Sequence, residues 1–123
     1  MHYYKYCKEG HILDPSWKVC PVCIAPLAGW LVALKEDGSA EKSYTLHEGK
    51  SFIGSAVDCE IRILNAGLAR QHAYLSIFDN ECSLVDMGNG IPVKVNNIDS
   101  VKTLLIDGDI LLLGDKQFKI KLL

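Results

Sequence analysis

Residues 72–78, His72-Ala73-Tyr74-Leu75-Ser76-Ile77-Phe78, decide the fold class. Ala73, Leu75 and Ile77 form one apolar set and the intervening residues a mixed one, which is the period-two pattern of a strand with a single buried face. A register slip of one residue would turn the apolar set to solvent.

Outward from this stretch the pattern recurs in short runs: Trp30–Leu34, Tyr44–Leu46, Ser51–Gly54, Ile61–Ile63, Cys82–Met87, Val93–Val95, Val101–Leu105, Ile110–Leu113 and Phe118–Leu122. Between them stand turn pairs such as Asp37-Gly38, Glu48-Gly49, Asp79-Asn80, Gly88-Asn89-Gly90 and Asp107-Gly108. Short strands at this spacing predict an all-β sandwich. The one helix-like stretch, Leu64–Arg70, is too short and too interrupted by Gly67 to hold as a helix.

The first part of the chain reads differently. Cys7-Lys8-Glu9-Gly10-His11 is followed, eight residues on, by Cys20-Pro21-Val22-Cys23. Two ligand pairs of this kind, each around a turn, place three sulfurs and one imidazole on a tetrahedral ion, with Gly10 easing the first bend. The expectation is a structural zinc ion held by Cys7, His11, Cys20 and Cys23. A redox Cys20/Cys23 pair is the other reading, disfavoured because such pairs sit between a strand and a helix; His2 is a substitute ligand. About 25 residues cannot sustain a core unaided, so the metal acts as a staple. Pro26-Leu27-Ala28-Gly29 is the expected joint, which gives a ribbon at 1–28 and a sandwich at 29–123.

Charge and hydropathy exclude other classes. The net charge is -2 over 123 residues, and ten Lys/Arg face thirteen Asp/Glu from residue 30 onward, so no basic stripe for nucleic acid is expected. Tyr3, Tyr4, Tyr6 and Trp17 offer stacking surfaces in the ribbon, but its charge is too small to supply much affinity. The N-terminus lacks the apolar core of a signal peptide and no run approaches a membrane span, so a soluble, cytoplasmic chain without membrane partners is expected. Cys59 and Cys82, outside the metal set, read as reduced core thiols rather than half of a disulfide framework. Paired with His47 or His72 they are the only material for an enzyme, and no spacing suggests such a pair.

The punctuation is also specific. Phe52-Ile53-Gly54, Asp58 with Glu60-Ile61, Leu68–Ala73, Leu84–Gly88, Val95-Asn96-Asn97 and Leu105–Gly114 follow one another in an order that resembles a forkhead-associated (FHA) domain across residues 30–123. The ribbon resembles the zinc ribbon that precedes some bacterial FHA domains. The resemblance implies an eleven-stranded β-sandwich that binds phosphothreonine peptides through loops at one end and is not an enzyme.

It also implies which residues grip the ligand, and these have changed. An arginine after the first glycine and a serine before the next arginine hold the phosphate, and an asparagine holds the peptide; those positions are Ser55, Ala69 and, counted without gaps from Asp86, Ile91. One neutral hydroxyl and one methyl replace a fork of charged donors and a hydroxyl. At about 1.5 to 3 kcal/mol per charge-assisted bond, the loss is roughly 3 to 5 kcal/mol, on the order of a hundredfold to several thousandfold in affinity. The expected function is therefore a non-catalytic module that docks a protein partner largely without phosphothreonine, through Ser55, Asn65, Arg70, Gln71 and Asn89. The alternative is a phosphopeptide adaptor whose phosphate site is rebuilt around Arg70. His72 matches the family histidine that ties loops together, and Ile91-Pro92 stiffens the loop, with Ile91 either joining Met87 and Val93 in an apolar patch or tucking inward.

Overall fold

The computed structural model describes residues 5–91 and 93–123; His2 and Pro92 lie outside them. In the N-terminal segment, β1 (Lys5–Tyr6) pairs antiparallel with β2 (Ile12–Leu13), and one helical turn, α1 (Pro21–Ile24), follows. Cys20 caps that turn, with Pro21 in the first helical position, where its missing N–H costs nothing.

Eleven strands follow: β3 (Leu27–Leu34), β4 (Ala40–His47), β5 (Gly49–Gly54), β6 (Ile61–Arg62), β7 (Ala73–Phe78), β8 (Glu81–Asp86), β9 (Lys94–Val95), β10 (Ile98–Asp99), β11 (Lys102–Leu105), β12 (Ile110–Leu113) and β13 (Lys116–Leu122). They form a six-stranded sheet in the order β10-β9-β12-β13-β3-β4 and a five-stranded sheet in the order β11-β8-β7-β5-β6. The expected sandwich is present, and β7 turns Ala73, Leu75 and Ile77 inward as its alternation requires. Leu31, Leu46, Ile53, Leu75, Leu84, Leu111, Phe118 and Ile120 fill the space between the sheets with 1% exposure or less.

Turn chemistry sets the hairpins. Asp79 and Asn80 both adopt positive φ (51° and 63°) between the paired residues Phe78 and Glu81, and Asn96 and Asn97 do the same (51° and 68°) between Val95 and Ile98. Two consecutive left-handed residues twist the chain in the sense the flanking strands need, and Asn and Asp tolerate that conformation best. Asp109 serves the same scaffold: its carboxylate accepts from the Ile106 N–H at 2.9 Å and the Asn96 side-chain amide at 3.1 Å, so the Gly-Asp motif ties two loops.

The segment expected to be a joint is part of the sheet. Leu27 opens β3 by pairing with His47, Gly29 pairs with Leu122, and the Leu123 N–H reaches the Ala28 carbonyl at 3.0 Å. The last metal-candidate residue, Cys23, therefore lies only a few residues from a fixed strand.

At the loop end, β5 stops at Gly54, whose N- and C-terminal neighbours bond the 69–72 segment. His72 N–H donates to Ile53 O (2.9 Å), Ser55 N–H to Ala69 O (3.1 Å) and Ala56 N–H to Arg70 O (3.0 Å). A Cβ on Gly54 would lie 2.1 Å from the Arg70 carbonyl oxygen. That neighbour is backbone and cannot swing aside. Gly54→Ala should therefore cost about 2 to 3 kcal/mol in urea unfolding, whereas the same change at exposed Gly88, where a Cβ meets nothing within 4 Å, is limited to the strain of its positive φ.

Candidate functional site

Two sites emerge. The first is the N-terminal cluster. The ligand atoms of Cys7, His11, Cys20 and Cys23 all lie within 4.8 Å of one another, and this set can hold a metal ion. His11 Nδ1 is 3.3 Å from Cys7 Sγ, 3.5 Å from Cys20 Sγ and 3.4 Å from Cys23 Sγ, and Cys7 and Cys23 sulfurs are 3.5 Å apart. A tetrahedral zinc with bonds of about 2.3 Å to sulfur and 2.0 Å to nitrogen has edges of about 3.5 to 3.8 Å, so the four atoms already stand near the corners.

Each pair is preorganised by its own backbone. The His11 N–H points at Cys7 Sγ (3.3 Å) and the Cys23 N–H at Cys20 Sγ (3.5 Å); against the opposing effect of burial, the first of these contacts helps to hold the Cys7 thiol below its ordinary range. His11 and Cys20 are buried. Burial, followed by the Glu9 carboxylate 2.9 Å from its sulfur, pushes the Cys23 thiol well above the ordinary range when no cation is near. A cation removes that penalty directly.

Glu9 does more than face Cys23. Its Oε2 is 3.3 Å from Nε2 of His47, whose Nδ1–H donates to the Ala25 carbonyl at 2.9 Å. His47 lies on β4, so one buried imidazole joins the first ligand loop, the residue after the last ligand loop and the edge of the sandwich. Nothing local marks Glu9 and His47 as partners in the sequence, since they are 38 residues apart.

The second site is the loop end. Arg70, Gln71 and Asn89 line one hollow of about 490 Å³ together with Ala56, Asp58 and Met87. Asn89 bridges the loops, its side-chain amide donating to Gln71 O at 2.7 Å and His72 O at 3.4 Å. Arg70 is exposed and makes no ion pair among the described residues.

Not every expected residue joins this hollow. Ser55 is half-buried at its margin, with its carbonyl accepting from Arg62 Nε at 3.2 Å. Asn65 lies apart, lining a different depression with Glu41, Lys42, Arg62 and Lys116. Ile91 is half-buried in a separate depression beside Val93 and Val101, and the asparagine that crosses between the loops is Asn89. The Gly88-Asn89-Gly90 turn, with both glycines at positive φ, was the signal for that placement.

His72 is the buried tie. Its Nδ1 accepts from the Ala69 N–H at 3.0 Å, which puts the ring proton on Nε2, a nitrogen without a partner among the described residues. The two remaining thiols are not poised as nucleophiles: Cys59 Sγ donates to the Arg70 carbonyl (3.2 Å), and burial raises both Cys59 and Cys82, the latter to about 11.

A model of the FHA domain family matches residues 51–114. The chain belongs to the FHA domain family. Among its relatives is the FHA domain-containing protein FhaA of Mycobacterium tuberculosis, 28% identical over 95 residues, a stretch that covers 77% of this chain and only 18% of that protein. The FhaA FHA domain, solved in complex with the intracellular domain of Rv3910, superposes with a TM-score of 0.66 at 28% identity, covering 75% of this chain and 98% of that one. The yeast Dun1 FHA domain, solved with a doubly phosphorylated peptide derived from Rad53, shares the fold at 17% identity and a TM-score of 0.69, covering 89% and 84%. FHA domains mediate protein–protein interaction, usually through phosphothreonine. No helix among the described residues is long and apolar enough to cross a membrane.

Burial lowers the His72 pKa below the usual imidazole range, opposed in part by Asp86. The unfolded chain therefore takes up this proton at a higher pH than the folded one. Stability from this residue is complete above the unfolded value of about 6.5 and falls as pH drops below it. Denaturant midpoints measured from pH 7.5 to 5 should decline, and His72→Gln should flatten that decline.

Proposed function

We propose that this chain is a non-catalytic interaction module, a structural zinc ribbon over residues 1–28 fixed to an FHA sandwich over 29–123. Its loop end docks a protein partner without depending on threonine phosphorylation. Arg70, Gln71 and Asn89 form the centre of that surface and Ser55 its margin, with Asn65 reached only by a partner that extends past the hollow. The proposal places the module in a bacterial cytoplasm, where reduced thiols persist.

One observation carries the reading: Ala69 lacks a hydroxyl and the neighbouring backbone and amide donors are already engaged, which leaves the Arg70 guanidinium to face an anion without them. Ala69 has no hydroxyl and its N–H is held by His72, the N–H groups of Ser55 and Ala56 are held by the carbonyls of Ala69 and Arg70, and the Asn89 amide is held by Gln71 and His72. Asp58 adds a carboxylate to the same hollow, which opposes a dianion. The exposed Met87 beside Arg70 offers a partner apolar contact instead.

A second reading keeps phosphopeptide binding, supported by the guanidinium of Arg70, which makes no ion pair among the described residues and can reach an anion as a charged fork. Titration of matched phosphorylated and unphosphorylated peptides from a captured partner separates the two. The first reading expects affinities within about threefold of each other; the second expects a strong preference for the phosphorylated form that Arg70→Ala abolishes.

Zinc is the metal this donor set suits, because three thiolates and an imidazole close a tetrahedron and leave no position for water or substrate. Purified chain should carry about one zinc ion. Cys20→Ser should release it and expose residues 5–26 to protease while the thermal transition of the sandwich survives.

A further inference from the structure

A cleft of about 560 Å³ lies where the ribbon meets the open side of the sandwich, away from the loop-end hollow. Its floor is unusual in one respect: Lys42, Ser43, Tyr44 and Thr45, four consecutive residues of β4, all line it. Side chains on a strand alternate between faces, so consecutive lining residues mean that the cleft runs along the strand edge. β4 is the last strand of the six-stranded sheet and pairs only with β3, which leaves its outer row of N–H and C=O groups unpaired by any strand. Such an edge is a template for an added strand unless something blunts it.

The cleft is lined by three cations against two acids. Lys8, Lys42 and Arg62 line it, and none of the three forms an ion pair among the described residues; Lys42 Nζ lies 5.0 Å over the Tyr44 ring and Arg62 Nε donates to the Ser55 carbonyl, contacts that leave both charges unneutralised. The two acids there are committed elsewhere: Glu9 to Cys23 and His47, and half-buried Glu60 to the Phe52 N–H at 2.8 Å. The chain as a whole is net negative, so this local excess of cation is not a general property of its surface.

We infer that the cleft is a second docking site, which takes an extended acidic segment of a partner protein as an added strand on the outer edge of β4. Main-chain hydrogen bonds supply the affinity, and Lys8, Lys42 and Arg62 select acidic side chains and fix the direction of entry. The ribbon, held by the Glu9–His47–Ala25 contacts, forms the far wall. This site needs neither the loop end nor its phosphate chemistry, so it stands or falls separately from the function proposed above.

The test uses the metal-loaded full chain and a ten-residue capped peptide of alternating valine and glutamate, with alternating valine and lysine as the control. Backbone amide spectra should show saturable shifts concentrated in residues 40–47 with the acidic peptide alone. Affinity should weaken about tenfold in the Lys42→Glu, Arg62→Glu double variant, fall as salt rises, and stay unchanged in Arg70→Ala. Because Arg62 also holds the Ser55 carbonyl, Lys42→Glu alone, expected to weaken binding about threefold, keeps the test decisive if the double variant fails to fold. Shifts confined to Arg70, Gln71 and Asn89, equal binding of both peptides, or no saturable shift would overturn the inference. So would concentration-dependent dimerisation mapped to β4, which would make a second copy of the chain the occupant.

Discussion

The carbonyl oxygen of Arg70 occupies the space that a side chain at position 54 would need, and the loop end is built around that contact. Because Gly54 lets the two backbones meet, the amides on either side of it close short hydrogen bonds onto the 69–72 segment, and His72 and Asn89 then tie that segment to the 86–91 loop. Three loops with little secondary structure of their own thereby become one rigid platform. Rigidity of this kind lowers the ordering cost of binding, whatever ligand is bound. It also explains how the scaffold tolerates Ser55 and Ala69: the bonds that position the loops are made by main chain and by His72, not by the side chains that would contact a ligand.

The ribbon depends on a different constraint. Its two short strands and single helical turn bury little, and the converging side chains of Cys7, His11, Cys20 and Cys23 stand where a core stands elsewhere. The ribbon is nevertheless not a separate bead on a string. Strand β3 starts four residues after Cys23, and His47 reaches from the sheet edge to Glu9 and Ala25. The loop that carries Cys7 and His11 thus also touches the sandwich, through Glu9 and His47.

Much of this was legible in the chain itself. Alternation in residues 72–78 and the Asp79-Asn80 turn specify β7, β8 and the hairpin between them, because buried faces and left-handed turns leave strong local marks. The convergence of Cys7, His11, Cys20 and Cys23 was legible because a ligand set would restrict residue type and spacing together. What escaped was whatever lacked a local mark. Strand β10 is two exposed residues, too short to show a period. Pro26–Gly29 has the composition of a linker, yet pairing with β4 and with the far C-terminus makes three of its four residues strand, which only tertiary context decides. That Asn89 would bridge to the carbonyls of Gln71 and His72 also left no local mark, because those partners are 18 and 17 residues away. The Glu9–His47 contact joins residues far apart in sequence and left no trace in either neighbourhood.

The central claim is that this platform has lost the means to hold a phosphate and presents a surface to a partner without one. The most direct measurement is a titration of free phosphothreonine into isotopically labelled chain, observing the backbone amides of residues 54–58, 69–72 and 86–91 and the Arg70 side-chain Nε–H. The account predicts no saturable shift at millimolar ligand. Saturable shifts centred on Arg70 and Ser55, absent with unmodified threonine, would contradict it.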